Sequence, residues 1–341
     1  MTRYAVETAQ REGEEIVVLR DTQRGAEARV WPACGNNCFQ VVLPAPARAG
    51  SGGGRLVTVV HDPPALAEIR RAPSWWGIPL LFPFPGSMPG GTYAFEGRTL
   101  RLGHPEQPVV NEPTYLGPER PANARRDYHG FVMDLPWQVA ETQATDDVAT
   151  VRSTLDSVDF AEEHVGFPFP YRVEATYRLD AQGLRLDFRA VNTGSGRLPF
   201  GFGAHPFLRL PLGPHGSPGE CLLCIPAARR WGRGLRSVLE DPSLPLPPQD
   251  EITPPVSEEL DLRTSKPFAE RVYNGMYTDL ALQEGHDHGS KQTSGRPGGD
   301  QNTTLGTFGV ARITASNPLA GSRTNASTCP SRSARSVYIP L

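Results

Sequence analysis

The sequence has no apolar run approaching the roughly eighteen residues needed to cross a membrane. It also has no block of lysine and arginine of the kind that follows a phosphate backbone. Across 341 residues, 34 Lys and Arg stand against 37 Asp and Glu, so a nucleic acid and a membrane surface are both excluded as expected partners. The first twenty residues carry Arg3, Glu7, Arg11, Glu12, Glu14 and Glu15, which leaves no apolar stretch for a signal peptide. Together these absences predict a soluble, cytoplasmic protein. Oligomeric state has no signature in the sequence.

Cysteine is scarce, and its count of five is odd, unlike the pattern of a disulfide-stapled secreted domain. Cys221 and Cys224 form a CxxC, but within the strand-like run Cys-Leu-Leu-Cys-Ile225. Spacing of three places them on opposite faces of a strand, and no second Cys or His pair has zinc-site spacing. His286-Asp-His288 lies in a polar segment and reads as solvated. The chain also lacks GxGxxG, GxxxxGK[ST], GxSxG and HExxH signatures, which disfavours nucleotide and covalent chemistry.

Glycine and proline, by contrast, are abundant at 35 each. Such punctuation favours many short strands joined by turns. Glu15–Leu19 and Ala26–Trp31 read as strands around the turn 21–25, with Ala26, Ala28 and Val30 alternating against Glu27, Arg29 and Trp31. Cys38–Leu43 and Arg55–Val60 continue the pattern, and Gly91–Leu102 reads as a hairpin about Gly97. Strands follow at 137–140 and 149–155. Tyr171–Leu179 and Gly183–Asn192 alternate cleanly about the turn 180–183, with Leu184, Leu186 and Phe188 opposite Arg185, Asp187 and Arg189. No convincing amphipathic helix interrupts them. The prediction is an all-β fold, a large antiparallel sandwich or barrel.

Trp75–Gly86 is the most apolar stretch, and its prolines exclude a helix and a central strand alike. It must run extended, either walling a pocket with its aromatic rings or crossing the core as a plain loop. After about Glu284 the composition turns to Ser, Thr and Gly, with Asp300 the single acidic residue from 289 onward. Residues 1–288 are therefore predicted as one domain and 289–341 as a poorly packed or disordered tail.

Two histidines occupy rich surroundings. In Gly201-Phe-Gly-Ala-His205-Pro-Phe207 the glycines permit close backbone approach and Pro206 stiffens the chain, so His205 is held at a strand end. Its ordinary pKa, near neutrality, suits proton transfer; a structural, hydrogen-bonded histidine is the other reading. His129, in Asp127-Tyr-His-Gly-Phe131, is a strand entry of the same kind. It strengthens the case for a site only if the two converge.

Taken together, Gly77-Ile-Pro-Leu-Leu-Phe-Pro-Phe-Pro-Gly86, His129-Gly-Phe-Val with Pro136-Trp137, Gly203-Ala-His-Pro-Phe-Leu208, and Ile225-Pro-Ala-Ala with Trp231 resemble the aldose 1-epimerase (galactose mutarotase) family in order and spacing from roughly residue 15 to 280. The resemblance implies a single large β-sandwich that binds a free aldose on its open face and needs no metal or organic cofactor. It implies that a carboxylate takes the proton from the anomeric hydroxyl while a histidine protonates the ring oxygen. On that basis His205 resembles the acid. His129 resembles the substrate-binding histidine near the ring oxygen, and Phe84, Phe207 and Asn274 fall among the substrate-binding positions. Trp75, Trp76 and Phe82 join Phe84 as expected walls for the sugar.

The chain departs from the family's pattern at three places. Ser87-Met88 replaces an expected arginine, Asn274 replaces an expected aspartate, and no aromatic-x-x-Glu-Pro motif follows Glu284, the last glutamate. Two explanations stand for the missing base. Either it is lost, leaving a carbohydrate-binding relative on the same scaffold, or the sequence after about Gly289 is a non-native reading, as from a frameshifted gene.

Overall fold

The computed structural model describes residues 2–45, 55–86, 88, 91–103 and 128–212, with the shorter pieces 222–223, 227–230, 254–258, 261, 263, 266–267, 275–280, 308–309 and 336–339. The first sheet is an antiparallel meander of β1 (Tyr4–Arg11), β2 (Glu14–Asp21), β3 (Glu27–Trp31), β4 (Asn37–Pro44) and β5 (Leu56–Thr58), in that spatial order. The β1–β2 turn is tight because Glu12 and Gly13 both take positive φ, 54° and 81°, the geometry that matches strand twist in a two-residue hairpin. The β2–β3 turn is held by Asp21, whose carboxylate accepts the backbone N–H groups of Gln23 and Arg24, each at 3.1 Å, and is forked by the Arg3 guanidinium.

The continuous apolar run in β2 has a direct structural cause. Val17 and Leu19 face the main core, while Ile16 and Val18 face a second cluster with Trp31, Phe39, Leu66 and Ile69. A strand buried on both faces has no polar side to show. The second cluster is closed by α1 (Leu66–Arg71), whose first N–H is accepted by the Glu12 carboxylate at 2.9 Å. No helix was expected from the sequence. At six residues α1 is too short to show a period, and packing sustains it rather than propensity.

The chain then forms β6 (Leu80–Leu81), the hairpin β7 (Thr92–Phe95) and β8 (Arg98–Arg101), and the second sheet of β9 (Gln138–Ala144), β10 (Val148–Asp156), β11 (Tyr171–Asp180) and β12 (Gly183–Asn192). In β11, Tyr171, Val173, Ala175, Tyr177 and Leu179 point inward. The outer face carries ion pairs such as Arg172 with Asp156 and Arg189 with Glu174. The inward sets of both sheets form one core, with Leu19, Val30 and Val41 in the same cluster as Val173, Tyr177 and Phe188. The Tyr177 hydroxyl crosses the layer to donate to Asn36 O at 3.0 Å. This is an antiparallel β-sandwich.

Beyond it lie β13 (Gly203–Ala204), β14 (Leu222–Leu223), β15 (Ala227–Arg230), β16 (Lys266–Pro267), β17 (Gly275–Leu280), β18 (Phe308–Gly309) and β19 (Ser336–Ile339). β18 adds to the edge of β12, β17 lies between β15 and β19, and β13 pairs with β6. Two short strands therefore arise from the 289–341 segment; its other residues lie outside the described set.

Candidate functional site

The proline-rich stretch organises the site by what its backbone cannot do. Pro79, Pro83 and Pro85 have no N–H, so the segment offers mainly carbonyls, and those need donors from both sides. On one side, Phe131 N–H donates to Phe82 O and His129 N–H to Gly86 O, both at 2.8 Å. On the other, His205 N–H donates to Pro79 O at 3.0 Å and Gly201 N–H to Pro83 O at 2.5 Å. Residues 79–86 are thus an acceptor rail to which the two histidine segments are sewn. The rail is buried rather than superficial, and Leu80 and Leu81 pair as a strand with Ala204 and Gly203. A strand was not expected among the prolines; it fits because Leu80 and Leu81 lie in the proline-free stretch between Pro79 and Pro83 and keep their N–H groups.

Glycines set the closeness of the approach. A Cβ on Gly130 would collide with the Phe82 carbonyl, and one on Gly203 would stand 2.6 Å from Pro85 Cβ. His129 and Gly130 both take positive φ, 61° and 76°. His129 therefore sits in a turn rather than at the expected strand entry, because the chain must reverse to present both its N–H and its ring to the rail.

The two imidazoles converge: the His129 and His205 ring centroids are 5.2 Å apart at 63°. Both are buried, 1% and 4% exposed. His129 Nδ1 lies 3.0 Å from Pro85 O, and since a carbonyl only accepts, Nδ1 carries the proton. The neutral ring then has its lone pair on Nε2. Burial lowers the His129 pKa to about 4, against a weaker upward pull from the Pro85 hydrogen bond. Burial also holds His205 well below the ordinary histidine value, and the neighbouring His129 pushes it further down. Near pH 7 the site is a pair of neutral imidazoles, able to accept a proton at one nitrogen and donate one at another.

The remaining candidates divide by burial. Phe207 is half-buried and its ring lies 4.8 Å from that of His205. Phe84, 7% exposed, packs edge-on against Phe131 at 5.5 Å beneath the His129 turn. Phe82 is wholly buried in the core. Trp75 is exposed, and Trp76 is half-buried with its ring stacked on His61. Asn274, Ser87, Cys221, Cys224, Trp231, Glu284, His286, His288 and Asp300 lie outside the described residues. Among the described residues no group of three or more His, Cys, Asp or Glu comes together as a metal site. No helix there is long and apolar enough to cross a membrane.

Sequence alone did not point to the Pro85 and Gly86 carbonyls, to His61, or to the buried His164. The His164 ring hydrogen-bonds Phe160 O at 2.7 Å and the Tyr171 hydroxyl at 2.6 Å. A backbone carbonyl leaves no mark on residue identity, and a lone histidine has no spacing to interpret.

A sandwich whose buried histidine pair is carried on a proline rail defines a class, and comparison with known proteins agrees with it. Residues 52–217, which contain the rail and both histidines, match the aldose 1-epimerase family model. Over this segment the chain is similar to the aldose 1-epimerase family. The uncharacterized protein YihR of Escherichia coli (strain K12) is 27% identical over 149 residues, 43% of this chain and 40% of that protein. The match thus spans about two fifths of this curated relative's length. The fold is similar to that of a galactose mutarotase-like protein from Clostridium acetobutylicum, with TM-score 0.57, 18% identity, and coverage of 81% of this chain and 72% of the other. It is similar also to that of galactose 1-epimerase from Lactobacillus acidophilus NCFM, with TM-score 0.52, 14% identity, and coverage of 82% and 74%.

Proposed function

We propose that this cytoplasmic chain binds a free aldose at the paired histidines and interconverts its α and β anomers by acid/base ring opening. The observation that carries the reading is the 5.2 Å approach of two buried imidazoles from segments far apart in sequence. In the reaction a base removes the O1–H proton, an acid delivers a proton to the ring oxygen, and the C1–O5 bond breaks. Rotation about C1–C2 and the reverse transfers close the ring on the other face, so atoms and protons balance. No redox step arises. Because sugars already mutarotate in water, one positioned acid or base adding roughly 10²–10⁴-fold gives a measurable rate.

His205 is the proposed acid: a neutral imidazole with one N–H to donate. His129, tied to Pro85 by Nδ1–H, presents Nε2 as an acceptor to the sugar near its ring oxygen. Phe207 and Phe84 are proposed as the aromatic surfaces near them, and Asn274 as a neutral hydroxyl partner. The catalytic carboxylate is unassigned.

The absence of a glutamate after Glu284 favours a second reading, a carbohydrate-binding protein without turnover. Polarimetry of α-glucose and α-galactose separates the two. Acceleration over buffer that disappears in His205→Ala supports catalysis. A rate equal to buffer combined with calorimetric binding of either sugar supports the second reading, and no binding of any hexose refutes both.

A further inference from the structure

One surface beside the paired histidines takes no part in the reaction proposed above. Residues 203–207 pair with 77–81, and from Phe207 onward the same extended run pairs with 59–61. His61 stands opposite Phe207, donating its N–H to Phe207 O at 2.7 Å, while Leu208 bridges Val60. Opposed residues of an antiparallel pair share a face, as do residues two apart on one strand. Leu208 and Val60 take the core side. Phe207 lies beside His61 across this pair, and its ring centroid is 4.8 Å from that of His205.

The row ends in a flat surface with a polar edge. The His61 ring is solvent-exposed and lies on Trp76 with centroids 4.8 Å apart and planes only 19° from parallel; Trp75 next to it is 46% exposed. Two residues beyond Phe207, Arg209 donates to Asp62 Oδ1 at 3.1 Å, and Gln40 donates to the other Asp62 oxygen at 3.0 Å. A carboxylate has roughly four lone-pair positions, so Asp62 is oriented by two partners and can still accept from a hydroxyl. A flat ring stack receives the C–H face of a pyranose, and an oriented carboxylate with a guanidinium receives its hydroxyls.

We propose that the strip formed by His61 on Trp76, with the Asp62–Arg209 pair, is a binding subsite for a second saccharide ring. The preferred ligand is then the reducing end of an oligosaccharide rather than a lone hexose. The inference rests on the sugar reading of the histidine pair.

The test is calorimetric titration of the full chain with glucose and with maltose, a reducing disaccharide of glucose. The readout is the maltose-to-glucose affinity ratio. The unaltered chain is expected to favour maltose about tenfold, the worth of one good ring contact with its hydrogen bonds. His61→Ala is expected to erase that preference, His61→Phe, which keeps a flat ring, to retain it, and Arg209→Ala to reduce it severalfold. Arg152→Ala, on the far outer sheet face, is the control and leaves the ratio unchanged. Equal affinities in the unaltered chain, or a preference that survives His61→Ala, overturns the subsite while leaving the hexose reading in place. Binding of neither sugar refutes the hexose reading itself, and the subsite with it.

Discussion

Acidification should destabilise this protein through its histidine pair from about pH 6.5 downward. Folded His129 is held to about 4 against an ordinary value of 6.5. In the unfolded chain the ring takes up a proton as pH falls below 6.5, and the folded chain does not. The unfolded state therefore gains free energy through the window from 6.5 down to about 4, where folded His129 protonates too and the loss levels off. Across that window, at about 1.4 kcal/mol per pH unit, the His129 share is roughly 3 kcal/mol. That is a large fraction of the roughly 5–15 kcal/mol that holds a typical domain together. His205 shifts in the same direction and adds to the loss. Because each charge disfavours the other, the pair titrates as a coupled unit.

The assay is urea unfolding followed by tryptophan fluorescence at half-unit pH steps, comparing the unaltered chain with His129→Gln. Carboxylate effects are common to both and cancel in the difference. The stability of the unaltered chain relative to the variant should be greatest near neutrality and fall by roughly 3 kcal/mol between pH 6.5 and 4. A difference that stays constant over the window would show that His129 is not buried in neutral form, and the chemistry assigned to the pair would fail with it.

Gly130→Ala should lower stability by about 3 kcal/mol, from positive φ and the collision with the Phe82 carbonyl, and should abolish sugar binding while the chain remains folded. Gly97→Ala, also at positive φ but with open space around it, should cost only about 1 kcal/mol, and equal losses in chemical denaturation would contradict the collision. Asn37 is buried, donates to Trp76 O at 2.9 Å and accepts Ile78 N–H at 3.0 Å. Asn37→Ala leaves both backbone groups without that partner and should cost about 3 kcal/mol in urea unfolding; a loss below about 1 kcal/mol would mean that the rail does not depend on this clamp.

The strands were legible where one face is wet. β11 and β12 alternate in the sequence as they do in the sheet, and the turn between them lies where Asp180 meets Gly183. The run in β2 was legible as a strand but not as one buried on both faces, because its second cover is α1, which has no period to detect. The motifs surrounding His129 and His205 marked both residues as candidates, yet their identity contained no statement that the rings meet. His129 was expected at a strand entry; only the acceptor rail shows why it must turn. For Trp75, Trp76, Phe82 and Phe84 the choice between pocket wall and core was open in the sequence. Burial divides them, with Phe82 at 0% exposed and Trp75 at 46%.

What the sequence determined by itself was local. Alternating side chains and glycine and proline turns specify an all-β chain, and a histidine between glycines and a proline specifies a stiffly held ring. What the tertiary structure decided was long-range. A segment that, through three prolines, has more carbonyls than N–H groups must borrow donors from distant parts of the chain. Satisfying those carbonyls draws residues 129–131 and 201–205 to its two sides, which brings the imidazoles together and, by burying them, keeps both neutral.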